Sequence, residues 1–194
     1  AIGFNRIRLI VVAIMLIAYT TFDNTWSSIN IKFLNTIIIS GFIGIFLGDT
    51  LLFLALQKIG PRRNNILFAL AAPFTIILNL FFLKQSMTVF EIFGCLIVFL
   101  GVVIAIAYGT NKNVNHRWET IEGSLKLGIT FGILAALAQA IGIIIIKPVL
   151  NNGADPIASA AIRTSISAIL LSFTYFSSSQ ILIDKTKYTL NIVL

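Results

Sequence analysis

Little in this chain carries charge. Acidic side chains number 7 and basic ones 14 among 194 residues, with one histidine and one cysteine. A lone cysteine excludes a disulfide within the chain and any thiolate metal cluster. Cys95 lies in an apolar run, where a free thiol behaves as a small buried hydrophobe. His116 sits in the polar stretch 113–119 without a partner at ligand spacing, so no metal site is expected. No catalytic-triad signature, Walker loop or glycine-rich phosphate cradle appears. The chain therefore reads as a non-enzyme that needs no cofactor, and any transport by it would be secondary, driven by gradients rather than ATP.

What is abundant is apolar. Hydrophobic residues make up 58% of the chain, and the mean hydropathy of +0.98 is far above that of a water-soluble domain. The formal charge of +7 does not indicate nucleic acid, because the basic residues are scattered through short loops between apolar runs. About 20 apolar residues cross a hydrocarbon core, and six segments qualify: 7–25, 34–56, 65–83, 88–108, 124–148 and 157–177. Short alternating segments of the β-barrel kind are absent. The expected fold is all-α, a polytopic helical bundle integral to the cell membrane and surrounded by lipid. No signal peptide with a small-residue cleavage site opens the chain. Residues 188–194 turn apolar again after Asp184, Lys185 and Lys187, so a further span is expected to begin there, in a fragment of a longer protein.

Polar groups inside these spans are the site candidates, since an ionisable group at membrane depth is costly and usually functional or paired with one that is. Asp49, between Gly48 and Thr50, can bind a cationic solute or a coupling proton, or else pair with Arg62 or Arg63 near the surface. Arg163 can attract an anionic group, pair with Asp49 or Asp155, or snorkel to the interface. Asn79 and Gln139 can face a polar cavity or bond to a neighbouring helix. Pro73 removes a backbone hydrogen bond and is expected to kink the third span, while Gly48 leaves room beside Asp49. Trp26 and Trp118 read as interfacial anchors, and Glu91 as a residue favoured by a helix N-terminus. Gly41, Gly44 and Gly48, then Gly94 and Gly101, then Ala135, Ala136, Ala138 and Ala140 mark faces where helices approach closely.

A weak internal repeat relates Ile7-Arg8 with Ala13-Ile14 and Leu16 to Ile162-Arg163 with Ala168-Ile169 and Leu171. Gly48-Asp49-Thr50-Leu51-Leu52-Phe53-Leu54-Ala55-Leu56, then Pro73, Gln85-Ser86-Met87-Thr88, Gly94 and Gly101-Val102 resemble an EamA domain of the drug/metabolite transporter superfamily. Gly132-Ile133-Leu134-Ala135-Ala136, Lys147, and Asp155-Pro156 leading to Arg163 resemble the start of a second copy. The resemblance implies ten spans in two inverted five-helix repeats, of which this chain holds spans two to seven. Residues 1–108 would be the first repeat lacking its first span, 109–122 a hydrophilic connector, and 123–194 a truncated second repeat. It also implies a secondary-active transporter that moves a small metabolite or drug-like solute by alternating access, possible coupling to a proton or another ion included. The rival expectation is a non-transporting membrane scaffold or partner subunit. One departure stands out: Gln85 occupies a position where the family usually has glutamate, which removes a charge there. Orientation stays open, because the basic residues favour the side opposite to the one the resemblance implies.

Overall fold

A computed structural model describes residues 2–84, 88–108 and 124–177, and all regular structure among them is helical. The helices are α1 (Ile2–Phe22), α2 (Leu34–Ser40), α3 (Gly48–Phe68), α4 (Ala71–Leu83), α5 (Val89–Tyr108), α6 (Leu125–Asn151) and α7 (Pro156–Ser177), with a π-helical segment (Gly41–Leu47) joining α2 to α3. Two 3-10 turns, Thr25–Ser28 and Ile31–Phe33, link α1 to α2. Gln85, His116 and Trp118 lie outside the described residues.

Five helical stretches are long and apolar enough to cross a bilayer: Gly3–Phe22, Ile31–Phe68, Val89–Ala107, Leu125–Asn151 and Pro156–Phe173. The architecture is a polytopic helical bundle. The second stretch is 38 residues long, roughly twice what a hydrocarbon core of about 30 Å needs, and it does not run straight. Gly60 adopts φ 75° and ψ 167°, a left-handed conformation that only glycine accepts without strain. The chain turns there, and 61–68 folds back along α6. The packing shows the reversal: a β-carbon on Gly128 would strike Ile59, whereas one on Gly132, a turn deeper in α6, would meet Leu67.

The third expected span, 65–83, is therefore two pieces. The tail of α3 ends at Phe68, a turn at Ala69 and Leu70 follows, and α4 has 13 residues, about 20 Å of rise and too short to cross alone. Pro73 interrupts the helical ladder as expected, with Ala69 and Leu70 keeping right-handed helical dihedrals at the break. It occupies the first turn of α4, where no intrahelical donor is required. The Ala69 carbonyl that Pro73 cannot reach instead accepts a long bond from the Ala72 amide at 3.4 Å.

α6 forms the centre of the bundle and runs antiparallel to α2 and α3. Its small residues Ala135, Ala136, Ala138, Ala140 and Gly142 are buried, as close backbone approach in lipid demands. One apolar cluster joins Ala55, Ile59 and Leu67 to Val102 of α5 and Ala136 of α6. A second joins Ile37 to Ile146 and Val149, and a third joins Leu9 of α1 to Ala168 and Leu171 of α7. α5 lies at the edge. Phe90, Ile97, Leu100 and Val103 on it are exposed, a surface suited to lipid. Gly94 and Gly101, expected on a packing face, have no atom near a would-be β-carbon among the described residues. Thr88 and Glu91 begin α5 with a capping box, in which the Thr88 amide donates to Glu91 Oε2 at 2.7 Å.

Candidate functional site

Three chain segments converge where the π-helical stretch crosses α6 and α7. Gly41 lies ten residues past Ile31, Gly142 nine before Asn151, and Arg163 seven after Pro156. At 1.5 Å per residue each is about 10–15 Å from the same end of the bundle, near the middle of a core of about 30 Å. That shared end is tied by the Asp155 amide, which donates to Ser28 Oγ at 3.0 Å.

The crossing is close because the residues there have no side chains to separate the helices. A β-carbon on Gly142 would lie 2.5 Å from Gly44 Cα, and one on Gly41 would lie 2.9 Å from Arg163 Cα. Such proximity lets hydroxyls bond across helices. Buried Ser40 donates to the Gly142 carbonyl at 2.7 Å, and Ser167 donates to the Gly41 carbonyl at 3.1 Å. Three glycines within eight residues weaken the helical preference of 41–48, and π-helical turns of this kind recur at functional sites.

Polar side chains meet this segment at successive turns. Arg163 lays its guanidinium against Gly44, where a β-carbon would come within 3.1 Å of Nη2. Its Nε and Nη2 are buried and meet no hydrogen-bond partner among the described residues. Arg163 therefore neither snorkels nor pairs with Asp155, whose Oδ1 accepts the Ala158 amide at 2.7 Å and caps α7. One turn further, Gln139 Oε1 would lie 3.7 Å from a β-carbon on Gly48. Asp49 follows, ion-paired and hydrogen-bonded to Arg8 of α1. The same Arg8 nitrogen donates to Asn5 Oδ1 at 2.9 Å, and its guanidinium stands 5.6 Å from the Phe53 ring centroid, a cation–π distance. The carboxylate of Asp49 is thus neutralised from α1, by neither Arg62 nor Arg63. Arg163 and Gln139 thus both lie against this segment or the first residue of α3, whereas Asp49, next to Gly48 in the chain, turns to Arg8 of α1.

Asn79 belongs elsewhere. It lies four residues before the end of α4, and its Oδ1 accepts a hydrogen bond from Lys147 Nζ of α6 at 2.9 Å. That pair sits about 6 Å from the helix end, close to an interface rather than at mid-depth. A groove of about 520 Å³ opens between α1 and α7, lined by Ile10, Ile14, Ile17, Ile169 and Phe173 among others. Its serines make no demand on a polar guest, since Ser165 and Ser172 donate to carbonyls of their own helix at 2.6 and 2.7 Å. The groove is suited to lipid and stands apart from Arg163, Gln139 and Asp49.

A family model described as the EamA-like transporter family matches residues 1–107, more than half of the chain. The chain belongs to that family. The matched part of this EamA chain contains Arg8, Asp49 and Asn79, whereas Gln139, Lys147 and Arg163 lie beyond it. Over 105 residues the chain is 29% identical to the uncharacterized transporter YyaM of Bacillus subtilis (strain 168), covering 54% of this chain and 34% of YyaM. It thus spans about a third of the length of that curated relative. No solved structure matches it.

Sequence reasoning missed Arg8, Ser40 and Ser167 as parts of this EamA bundle's polar interior, and Lys147 as the partner of Asn79. Arg8 had a signal, because the internal repeat aligns it with Arg163. Ser40 had one too, being the polar residue directly before the glycine run. Lys147 was visible as a lone cation near a span end, but its partner Asn79 is 68 positions away.

Proposed function

We propose that this chain is part of a secondary-active transporter that moves a small metabolite or drug-like solute across the cell membrane by alternating access. The observation that carries the reading is the pair of polar side chains Arg163 and Gln139 against the glycines of the π-helical segment and the start of α3, with the Asp49–Arg8 ion pair one residue on, in a family of transporters. A glycine-lined crossing near mid-depth is where two helical halves can rock against each other around a fixed site. Residues 1–108 act as one repeat lacking its first span, 109–122 as the connector, and 123–194 as the beginning of a second repeat. Gly48 shapes the cavity beside Gln139 and Asp49, Pro73 sets the start of α4, and Asn79 with Lys147 lines the entrance at one end. The chain performs no covalent chemistry on its solute, and coupling to a proton or another ion proceeds through Asp49.

The test is solute counterflow in vesicles carrying the full-length protein. Asp49→Asn is expected to change the rate or its pH profile while the protein still inserts. Identical counterflow at every pH would refute a role for Asp49. Absence of flux with every solute, from correctly folded wild-type protein, would favour a scaffold instead.

A further inference from the structure

We propose that the guanidinium of Arg163 receives the carboxylate of the transported solute, which makes small ionised carboxylic acids the solute class. This inference rests on the transporter reading and gives it a chemistry. The two nitrogens left without partners are Nε and Nη2. They share one edge of the planar group, and their N–H bonds run parallel, the fork that two carboxylate oxygens satisfy together. Neither helix bonding nor ion pairing has used that edge among the described residues.

Among the described residues, three carboxylates have partners elsewhere. Asp49 is taken by Arg8, Asp155 by the Ala158 amide, and Glu91 by the Thr88 amide. A guanidinium cannot shed its charge to escape burial, since it stays protonated in proteins. Near mid-depth its charge calls for an anion. The geometry also reserves space for the group. Gly44 carries no side chain where one would crowd Nη2, and Gly41 lets α7 approach until a β-carbon would lie 2.9 Å from Arg163 Cα. Arg163 as a whole keeps partial exposure while the two fork nitrogens are buried, so a carboxylate reaches them only as the helices part. The open edge of the Arg163 guanidinium matches one carboxylate. A phosphate dianion would need a second cation, and Arg8 is already neutralised.

Binding is measured on the purified full-length protein in detergent at constant ionic strength. Thermal unfolding is followed with acetate, succinate and benzoate, each against its amide of the same carbon skeleton. At least one carboxylate is expected to raise the midpoint in a saturable manner while its amide does not. Arg163→Gln should abolish the response, and Arg163→Lys, a point charge without the fork, should weaken the apparent affinity about tenfold. If Arg163→Gln gives no cooperative transition, wild type against Arg163→Lys decides. Equal responses to acid and amide, no response to any of the three acids, or an undiminished response in the variants would overturn the proposal. A flux measurement separates it from the reading beneath it. Carboxylate binding without flux sinks the transporter reading and leaves the Arg163 receptor, whereas flux of neutral solutes with no carboxylate binding does the reverse.

Discussion

Replacing Gly142 by alanine tests whether the central crossing holds the bundle together. The new β-carbon would sit 2.5 Å from Gly44 Cα, 2.9 Å from Gly44 N and 3.2 Å from the Ser40 carbonyl oxygen. All three are backbone atoms, so no side chain can rotate away. Carbon–carbon contact is comfortable at about 3.5 Å, so α6 and the π-helical segment must separate by about 1 Å. Overpacking of this kind costs about 1–3 kcal/mol. The shift also stretches the buried Ser40–Gly142 hydrogen bond, a further loss of about 1 kcal/mol in a membrane bundle. Against this, alanine returns about 1 kcal/mol of helix propensity, leaving a net loss of about 1–3 kcal/mol. Gly101→Ala is the control, because nothing lies within 4 Å of its β-carbon among the described residues. It should be neutral or stabilising by up to about 1 kcal/mol. Unfolding by SDS titration from dodecylmaltoside micelles, followed by circular dichroism, measures both. Equal stabilities for the two variants would refute the account of the crossing.

Asp49→Asn leaves Arg8 without its counter-ion. Because the Arg8 side chain is 43% exposed, the loss should be about 1–2 kcal/mol rather than the 3–5 kcal/mol of a fully buried pair. The exchange Arg8→Asp with Asp49→Arg should recover part of it, and a double variant no better than the singles would exclude the pair as a stabilising contact. Gly60→Ala has open space around it, yet the positive φ should still cost about 1–2 kcal/mol by the same titration. An unaffected Gly60→Ala would mean that the chain reversal is not held at this residue. A double-mutant cycle of Asn79→Leu and Lys147→Met should give a coupling of about 0.5–1.5 kcal/mol, and additivity would show that their hydrogen bond contributes nothing.

Class and most spans were legible because they depend on local composition. A run of about 20 apolar residues can satisfy its backbone in lipid only as a helix, so α1, α5, α6 and α7 fall close to where hydropathy alone places them. The reversal at Gly60 falls in the gap between the expected spans 34–56 and 65–83. The division of the third span in two was not legible, because hydropathy does not register a helix break inside an apolar run. The turn at Ala69 and Leu70 is a backbone event within an apolar stretch.

Among the candidate residues, sequence determined which side chains would be costly at membrane depth: Asp49, Gln139 and Arg163. Only the tertiary structure decided what each one meets. The partner of Asp49 is Arg8, 41 positions away, and the groove that receives Arg163 is made by Gly44 on another helix. A span that is apolar on nearly every face carries little periodicity to say which side turns inward, so those meetings are set by which helices can approach most closely. Here that is decided by glycines and by serine hydroxyls reaching a neighbour's carbonyl, contacts between residues far apart in the chain.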